Sequence, residues 1–397
     1  MNDIDAQITK LIHMERHRFA GNAARAIVDL VDLLLKYAIE IQASDLHIEP
    51  YEKSLRVRYR IDGQLQELHQ SLPLSLAEPL TSRIKVLAHM DSTAAFLPLD
   101  GAIQTDGVEM RVASMPSVGA ESLTIRLLNS SLKLQNIDNL GFTPENEKIF
   151  RQMIDKASGM IILTGPMNSG KSTTLYAALR EINQPTRSIM TLEDPIEQHV
   201  DGISQIQVND KTGLTFAAGL RAMLRMDCNC LMVGEARDVE TAKIAIRAAL
   251  TGHLLFTTLH ANDSCSAVFR MLEMDVEPYL LAATLNCVIA QRLVRRLCPK
   301  CKKLSAADEY ERQMTGADEL YHAVGCEECR GTGYSGRIAL HEILCVDKSL
   351  RSLIVNSRDL DAIRSCALAN GLRTLSDDAA EKIRAGLTTV DEVRRVI

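Results

Sequence analysis

Two groups of residues have types and spacings suited to chemistry. The first is Gly165-Pro166-Met167-Asn168-Ser169-Gly170-Lys171-Ser172, which reads GxxxxGKS. Met160 to Thr164 ahead of it is a short apolar run of strand character, and Thr173 to Arg180 behind it reads as a helix, which is the context such a loop needs. Phosphates require donors and positive potential without bulk, so the glycines let backbone N–H groups point inward and the helix N-terminus adds its dipole. Lys171 then offers a mobile charge to β- and γ-phosphates, Ser172 a hydroxyl to Mg2+, and Thr173 stands at the start of the helix. Asn168 lies inside the loop, where asparagine tolerates the left-handed backbone region.

The second group is Cys298-Pro299-Lys300-Cys301 and Cys326-Glu327-Glu328-Cys329, two CxxC pairs separated by 24 residues. Thiolates in such pairs suit tetrahedral Zn2+, and four protein ligands close the site, so the metal is expected to hold a small domain together. One pair alone would also fit redox chemistry; two in succession fit it less well. The other six cysteines, 228, 230, 265, 287, 345 and 366, are scattered and read as core or surface thiols.

Hydrolysis of a phosphoanhydride also needs a carboxylate to position water. Leu231-Met232-Val233-Gly234-Glu235 is a strand ending in such a group, and Glu193-Asp194-Pro195-Ile196-Glu197 follows another strand, so both are expected at the sheet edge where α/β proteins bind ligands. An acidic strand end is as often a solvated loop as chemistry, and it is the phosphate loop that tips this balance. Arg221 and Arg225, at i and i+4, share a helix face from which they can neutralise phosphate charge. His253 and His260 flank the strand Leu254 to Thr258; a single histidine is usually structural, and His260, beside Asn262 and Asp263, is the stronger functional candidate.

These side chains need elements to place them. Ile27, Leu30, Val31, Leu34, Leu35 and Ala38 recur at helical spacing between residues 23 and 41. Leu55, Val57, Tyr59 and Ile61 alternate with Arg56, Arg58 and Arg60 ahead of Asp62-Gly63, a half-buried strand entering a hairpin. Met110 to Met115 and Ser122 to Leu128 read as further strands, which makes residues 1–130 an α+β domain. Residues 131–141 lose periodicity and read as a linker. Beyond it, strands at 160–164, 188–192, 230–233 and 254–258 alternate with helical stretches, so a parallel sheet with crossovers is expected.

The 397 residues exceed what one core usually organises, and 46% hydrophobic with 24% charged residues is ordinary for a globular α/β protein. A net charge of −6 provides no global attraction for nucleic acid, so none is expected as a partner. No run approaches the roughly 18 apolar residues that span a bilayer, and the start MNDIDAQITKLIHMERHRF has no apolar signal core, so a cytoplasmic location is expected.

GPMNSGKSTTLY, TLEDPIE, LRMDCNCLMVGEARD and TGHLLFTTLHAND resemble, in order, the Walker A, Asp box, Walker B and His box of the type II secretion and type IV pilus assembly ATPases. ASDLHIEP, RVRYRIDG, LPLDG, RVASMPSVGAESLTIRLL and YSGRIALHEIL carry the likeness over nearly the whole chain. The resemblance implies a PAS-like N-terminal domain (1–130), a linker (131–141), a RecA-like P-loop ATPase domain (142–292), a tetracysteine zinc-binding subdomain (293–345) and a helical C-terminal subdomain (346–397). It implies a homo-hexamer that binds ATP between its two main domains and hydrolyses it to power assembly of a type IV pilus or a type II secretion pseudopilus. Its implied partners are an inner-membrane platform protein and a cytoplasmic docking protein, so the motor is peripheral to the inner membrane and meets it only through them.

By motif position, Arg111 and Arg126, with Arg221 and Arg225, are the family's phosphate-approaching arginines, whereas Asp45, His47 and Glu49 belong to a signature read as architectural. The quartet argues against the retraction type of pilus motor. Three features depart from the family pattern: Met226 to Cys230 before the Walker B strand, Ala95 and Phe96 where arginines are usual, and a start close to the PAS-like domain without the further N-terminal domain of many relatives. The first two leave open an ATP-binding assembly subunit with little turnover; a nucleic-acid translocase, which would share the RecA-like core, is a further alternative.

Overall fold

In the computed structural model, residues 7–11, 22–67, 71–94, 97–105, 107–128, 136–357 and 359–397 are described, with backbone alone for 22–24. Ala95 and Phe96 lie outside these residues, as do 131–135 of the linker expected at 131–141. Contacts divide the chain into two compact units, residues 1–130 and 131–397, each described by itself.

In the first unit, α1 (Asn22–Glu40) buries the stripe of Ile27, Leu30, Val31, Leu34, Leu35 and Ala38 in one core with the sheet. Strands β1 (Asp45–Pro50), β2 (Ser54–Ile61), β3 (Gln64–Glu67), β4 (Leu72–Pro73), β5 (Leu99–Thr105), β6 (Val108–Pro116) and β7 (Glu121–Leu128) are antiparallel, in the order β3-β2-β1-β7-β6-β5 with β4 beside β2. Helix α2 (Ala77–Leu87) shares the same core. Asp62 and Gly63 both take positive φ (49° and 84°), the conformation that matches a two-residue turn to the twist of β2 and β3. Two arginines of β2 face carboxylates on β1, Arg58 2.7 Å from Glu49 and Arg60 3.3 Å from Asp45, while Arg56 pairs with Glu67 of β3. Asp45 is shared with Arg126 of β7 at 3.0 Å, and Arg111 of β6 stands opposite Arg126 in the strand register.

The second unit alternates α3 (Pro144–Ile154), β8 (Gly159–Thr164), α4 (Lys171–Ile182), β9 (Ile189–Glu193), β10 (Ser204–Gln207), α5 (Phe216–Met223), β11 (Cys230–Val233), α6 (Val239–Leu250) and β12 (Leu254–Leu259), followed by α7 (Ser264–Glu273) and α8 (Pro278–Thr284). Strands β8, β9, β11 and β12 are buried throughout because helices cover both faces, which is why they read as unbroken apolar runs. Two apolar clusters, one on each side of the sheet, take alternate residues of the same strands: Ile162, Leu192 and Leu231 face one, Ile161, Leu163 and Phe256 the other.

The sheet order is β10-β9-β11-β12-β8-β13-β16, parallel except at its last pair. The strands expected to form a parallel sheet with crossovers do so, and the antiparallel pair adds an edge to them. Strand β13 (Leu285–Leu297) and β16 (Tyr334–Cys345) pair antiparallel from Cys287↔Cys345 to Leu297↔Tyr334. The expected boundary at 292/293 therefore falls inside a strand, and the expected end at 345 is the last residue of another. Between them lie the cysteine pairs, β14 (Lys303–Ala306), α9 (Glu309–Thr315) and β15 (Glu319–His322). The chain continues through α10 (Lys348–Asn356), α11 (Leu360–Ala369), α12 (Leu375–Arg384) and α13 (Val390–Arg394). No helix among the described residues is long and apolar enough to cross a membrane.

Candidate functional site

Strand β8 delivers the chain to the carboxyl edge of the sheet. Its last residue, Thr164, donates from Oγ1 to the Ala261 carbonyl (3.1 Å) and accepts from the Ala261 N–H (2.9 Å), joining the entry of the loop to the segment just after His260. The loop then turns through Gly165 (φ 150°), Asn168 (φ 61°) and Gly170 (φ 87°), and Gly170 caps α4 in the left-handed conformation. The N-terminal turn of α4, from Lys171 through Ser172 and Thr173, opens directly onto this loop. Pro166, Met167 and Asn168 are exposed, whereas Ser169 is buried with its Oγ unpartnered.

Lys171 folds back over the loop, donating to the carbonyls of Gly165 and Pro166, each at 2.8 Å. Burial draws its ammonium down to about 8, a shift that the Glu235 carboxylate opposes. An arriving phosphate gives this half-desolvated cation a charged partner in place of two neutral carbonyls.

The ends of β9, β11 and β12 supply the acidic side of the site. Glu235, two residues past β11, accepts from Arg237 Nε at 2.8 Å; Arg237 Nη1 donates to Asp194 at 3.1 Å, so one guanidinium spans the ends of β9 and β11. His260, just after β12, places Nε2 4.0 Å from the same Glu235 carboxylate. The strand ends are laced together by Gly234 N–H to the Leu192 carbonyl (2.8 Å) and Thr258 Oγ1 to the Gly234 carbonyl (2.7 Å).

Glu193 is held differently. It is 4% exposed and accepts from Thr191 Oγ1 (2.6 Å), Gln205 Nε2 (3.1 Å) and the Tyr176 hydroxyl. The Tyr176 hydroxyl in turn accepts from the N–H groups of Glu197 (3.2 Å) and Gln198 (3.3 Å). Burial, then the bond to Glu193, push the tyrosine up and keep it a donor. This network ties α4 to the end of β9.

The four cysteines form a separate centre. Their sulfurs all lie within 4.8 Å of one another, with Cys298–Cys326 at 3.9 Å and both Cys301–Cys329 and Cys326–Cys329 at 3.7 Å. Tetrahedral zinc at about 2.3 Å from each sulfur sets them roughly 3.8 Å apart, so the donor set fits that metal. Burial works against the Cys329 thiolate, yet the N–H groups of Cys326 and Gly333, at 3.1 and 3.2 Å, help to draw it down to about 6.

Comparison with known proteins settles the class. Residues 21–395 match the family described as Type II/IV secretion system protein. The chain belongs to that family. The type II secretion system ATPase E of Vibrio cholerae is 44% identical over 379 residues, 93% of this chain and 75% of the relative. The type IV pilus assembly ATPase PilB of Myxococcus xanthus is 42% identical over 382 residues, 92% of this chain and 67% of the relative. Among solved structures, the ATPase DotB of Legionella pneumophila shares the fold, with a TM-score of 0.69 at 22% identity over 92% of this chain and 94% of that one.

In this secretion ATPase the sheet edge brings together the loop from Gly165 to Ser172, Glu235 and His260. It does not gather every residue singled out from the sequence. Arg221 is in an ion pair with Glu240 on α6, and Arg225 is exposed in the turn after α5. Arg111 and Arg126 belong to the other unit. His253 lies at the turn after α6, its Nδ1 3.1 Å from the Ala248 carbonyl. Sequence reading passed over Tyr176, Arg237, Gln291 and Arg292. Arg237 stands two residues after Glu235 in one quoted motif and Tyr176 closes another, GPMNSGKSTTLY, whereas Gln291 and Arg292 stand in none.

Proposed function

We propose that this secretion ATPase works as a subunit of a homo-hexameric motor in the cytoplasm, peripheral to the inner membrane. ATP hydrolysis at its phosphate loop powers assembly of a type IV pilus or a type II secretion pseudopilus, through an inner-membrane platform protein and a cytoplasmic docking protein. The observation that carries this reading is the meeting of Lys171, Glu235 and His260 at one sheet edge, in a chain whose relatives bear those activities in their names.

In this reading the backbone N–H groups from Gly165 to Thr173 cradle the phosphates, with Pro166, Met167, Asn168 and Ser169 forming the arch between the glycines. Lys171 exchanges the Gly165 and Pro166 carbonyls for β- and γ-phosphate oxygens. Ser172 would hold Mg2+, which would supply neutralisation of charge on the phosphate oxygens. Glu235 orients the attacking water and accepts its proton, His260 stands beside it, and Arg237 holds the carboxylate until nucleotide arrives. Glu193 acts by fixing α4 against β9. Arg111, Arg126, Arg221 and Arg225 approach the phosphates, for which Arg221 leaves Glu240 and Arg126 leaves Asp45. The cysteine quartet holds structural Zn2+ away from the chemistry. The domain limits fall at 130, 141, 292 and 345, the third within β13.

The particle mass of Glu235→Gln with ATP tests the assembly: six chains are expected, and a single chain at saturating nucleotide overturns it. Adding DNA at low salt should leave the ATPase rate unchanged; stimulation would favour a nucleic-acid translocase.

A further inference from the structure

We propose that Gln291 is a positioning residue of the nucleotide site, holding the phosphate loop from behind in its phosphate-binding shape. The proposal rests on the reading of the 165–172 loop as the nucleotide site.

Ala290 of β13 pairs with Thr164, the last residue of β8. Strand β13 then runs on while its neighbour becomes the loop, so Gln291 comes level with Gly165. Its side chain is 2% exposed and bonds at both ends: Nε2 donates to the Ser169 carbonyl and Oε1 accepts from Thr174 Oγ1, each at 2.8 Å. A neutral carboxamide offers a donor and an acceptor on adjacent atoms, which this pair of partners requires.

These two bonds bracket the residues that matter. Ser169 lies just before Gly170-Lys171-Ser172-Thr173, and Thr174 just after. Because a trans peptide points its carbonyl and N–H in opposite directions, tying the Ser169 carbonyl back to Gln291 aims the Gly170 N–H away from β13. Inward-pointing N–H groups are what an anion nest consists of.

Both loop glycines also pack on this one residue. A Cβ at Gly165 would lie 2.5 Å from the Gln291 carbonyl oxygen, and one at Gly170 would lie 2.7 Å from Gln291 Nε2. The loop spacing is therefore complementary to Gln291 as well as to phosphate.

The strand carrying Gln291 is itself anchored. Arg292 points to the opposite face and is 8% exposed. Its guanidinium donates to the carbonyls of Gln291 (3.0 Å), Asn262 (2.5 Å) and Val396 (3.2 Å). The segment after His260 and the turn after α13 are thereby joined to the point from which the loop is held.

The test measures KM and kcat for ATP, binding of mant-ADP and melting temperature in Gln291→Leu, Thr174→Val, Thr174→Ser and Lys171→Ala. Loss of the buried bonds in Gln291→Leu should raise KM about tenfold with kcat within about twofold. Thr174→Val, which frees the amide to turn, should raise KM about fivefold, and Thr174→Ser, which keeps the hydroxyl, should restore it. A merely structural role predicts the reverse split: a smaller folded fraction lowers apparent kcat and leaves KM unchanged. That result, or equal KM in Thr174→Val and Thr174→Ser, overturns the proposal, and the Thr174 pair decides it if Gln291→Leu does not fold. Lys171→Ala separates the two claims. Normal mant-ADP binding in that variant sinks the nucleotide-site reading, whereas lost binding there with unchanged KM in Gln291→Leu and Thr174→Val sinks only the role of Gln291.

Discussion

Lys171 spends its hydrogen bonds on its own loop, and its ammonium titrates at about 8 because burial strips it of water. At the proposed site phosphate oxygens stabilise the charged form, so ATP should bind best below that value, and above it each binding event must take up a proton. KM for ATP should accordingly stay level up to about pH 7.5 and climb towards tenfold per pH unit beyond about pH 8.5. A pH profile of KM checks this, and a flat profile to about pH 9.5 contradicts the assignment. Lys171, Glu235 and His260 were legible in the sequence because each stands at a fixed offset from a strand. Gln291, Arg292 and Tyr176 were not, since their partners are brought close only by strand register and helix packing. Glu193 was legible as a strand-end acid, but not its turn into a buried network.

At the scale of elements, the C-terminal helices are fastened by charge as well as apolar burial. On α12, Asp378 and Lys382 form an ion pair whose side chains are 1% and 4% exposed; Asp378 also accepts from the His341 N–H at 2.9 Å, and Lys382 donates to the Ala339 carbonyl at 2.6 Å. Burial pushes Asp378 up and Lys382 down, each opposed by its partner's charge. Removing one member strands the other, so Lys382→Met should cost about 3–5 kcal/mol in denaturant unfolding; a loss under about 1 kcal/mol would contradict this. The cysteine centre makes its own claim: about one zinc per chain by metal analysis, lost in Cys298→Ser together with a lower melting temperature. Unchanged zinc content refutes the site. The hairpin at Asp62-Gly63 and the strand before the phosphate loop were readable because turn chemistry and apolar runs are local signals. The passage of β13 through residue 292 was not, because its pairing with β16 joins segments flanking the whole cysteine region.

At the scale of the molecule, an antiparallel α+β unit precedes a second unit whose parallel strands aim three functional segments at one edge. The alternation of strands and helices announced that second sheet, and the spacing of the glycines marked the candidate nucleotide site on it. The order of its strands, and the antiparallel edge strand, came only from long-range pairing. In the proposed motor, turnover at this edge depends on Glu235, whose chemistry Lys171 and the loop alone do not supply. The most direct test is the ATPase rate of the parent chain against Glu235→Gln at saturating ATP, with mant-ADP binding followed in both. The expected result is equal binding and a rate lower in the variant by on the order of a hundred- to ten-thousandfold. Equally low rates in both chains would contradict the motor and leave a nucleotide-binding subunit without turnover.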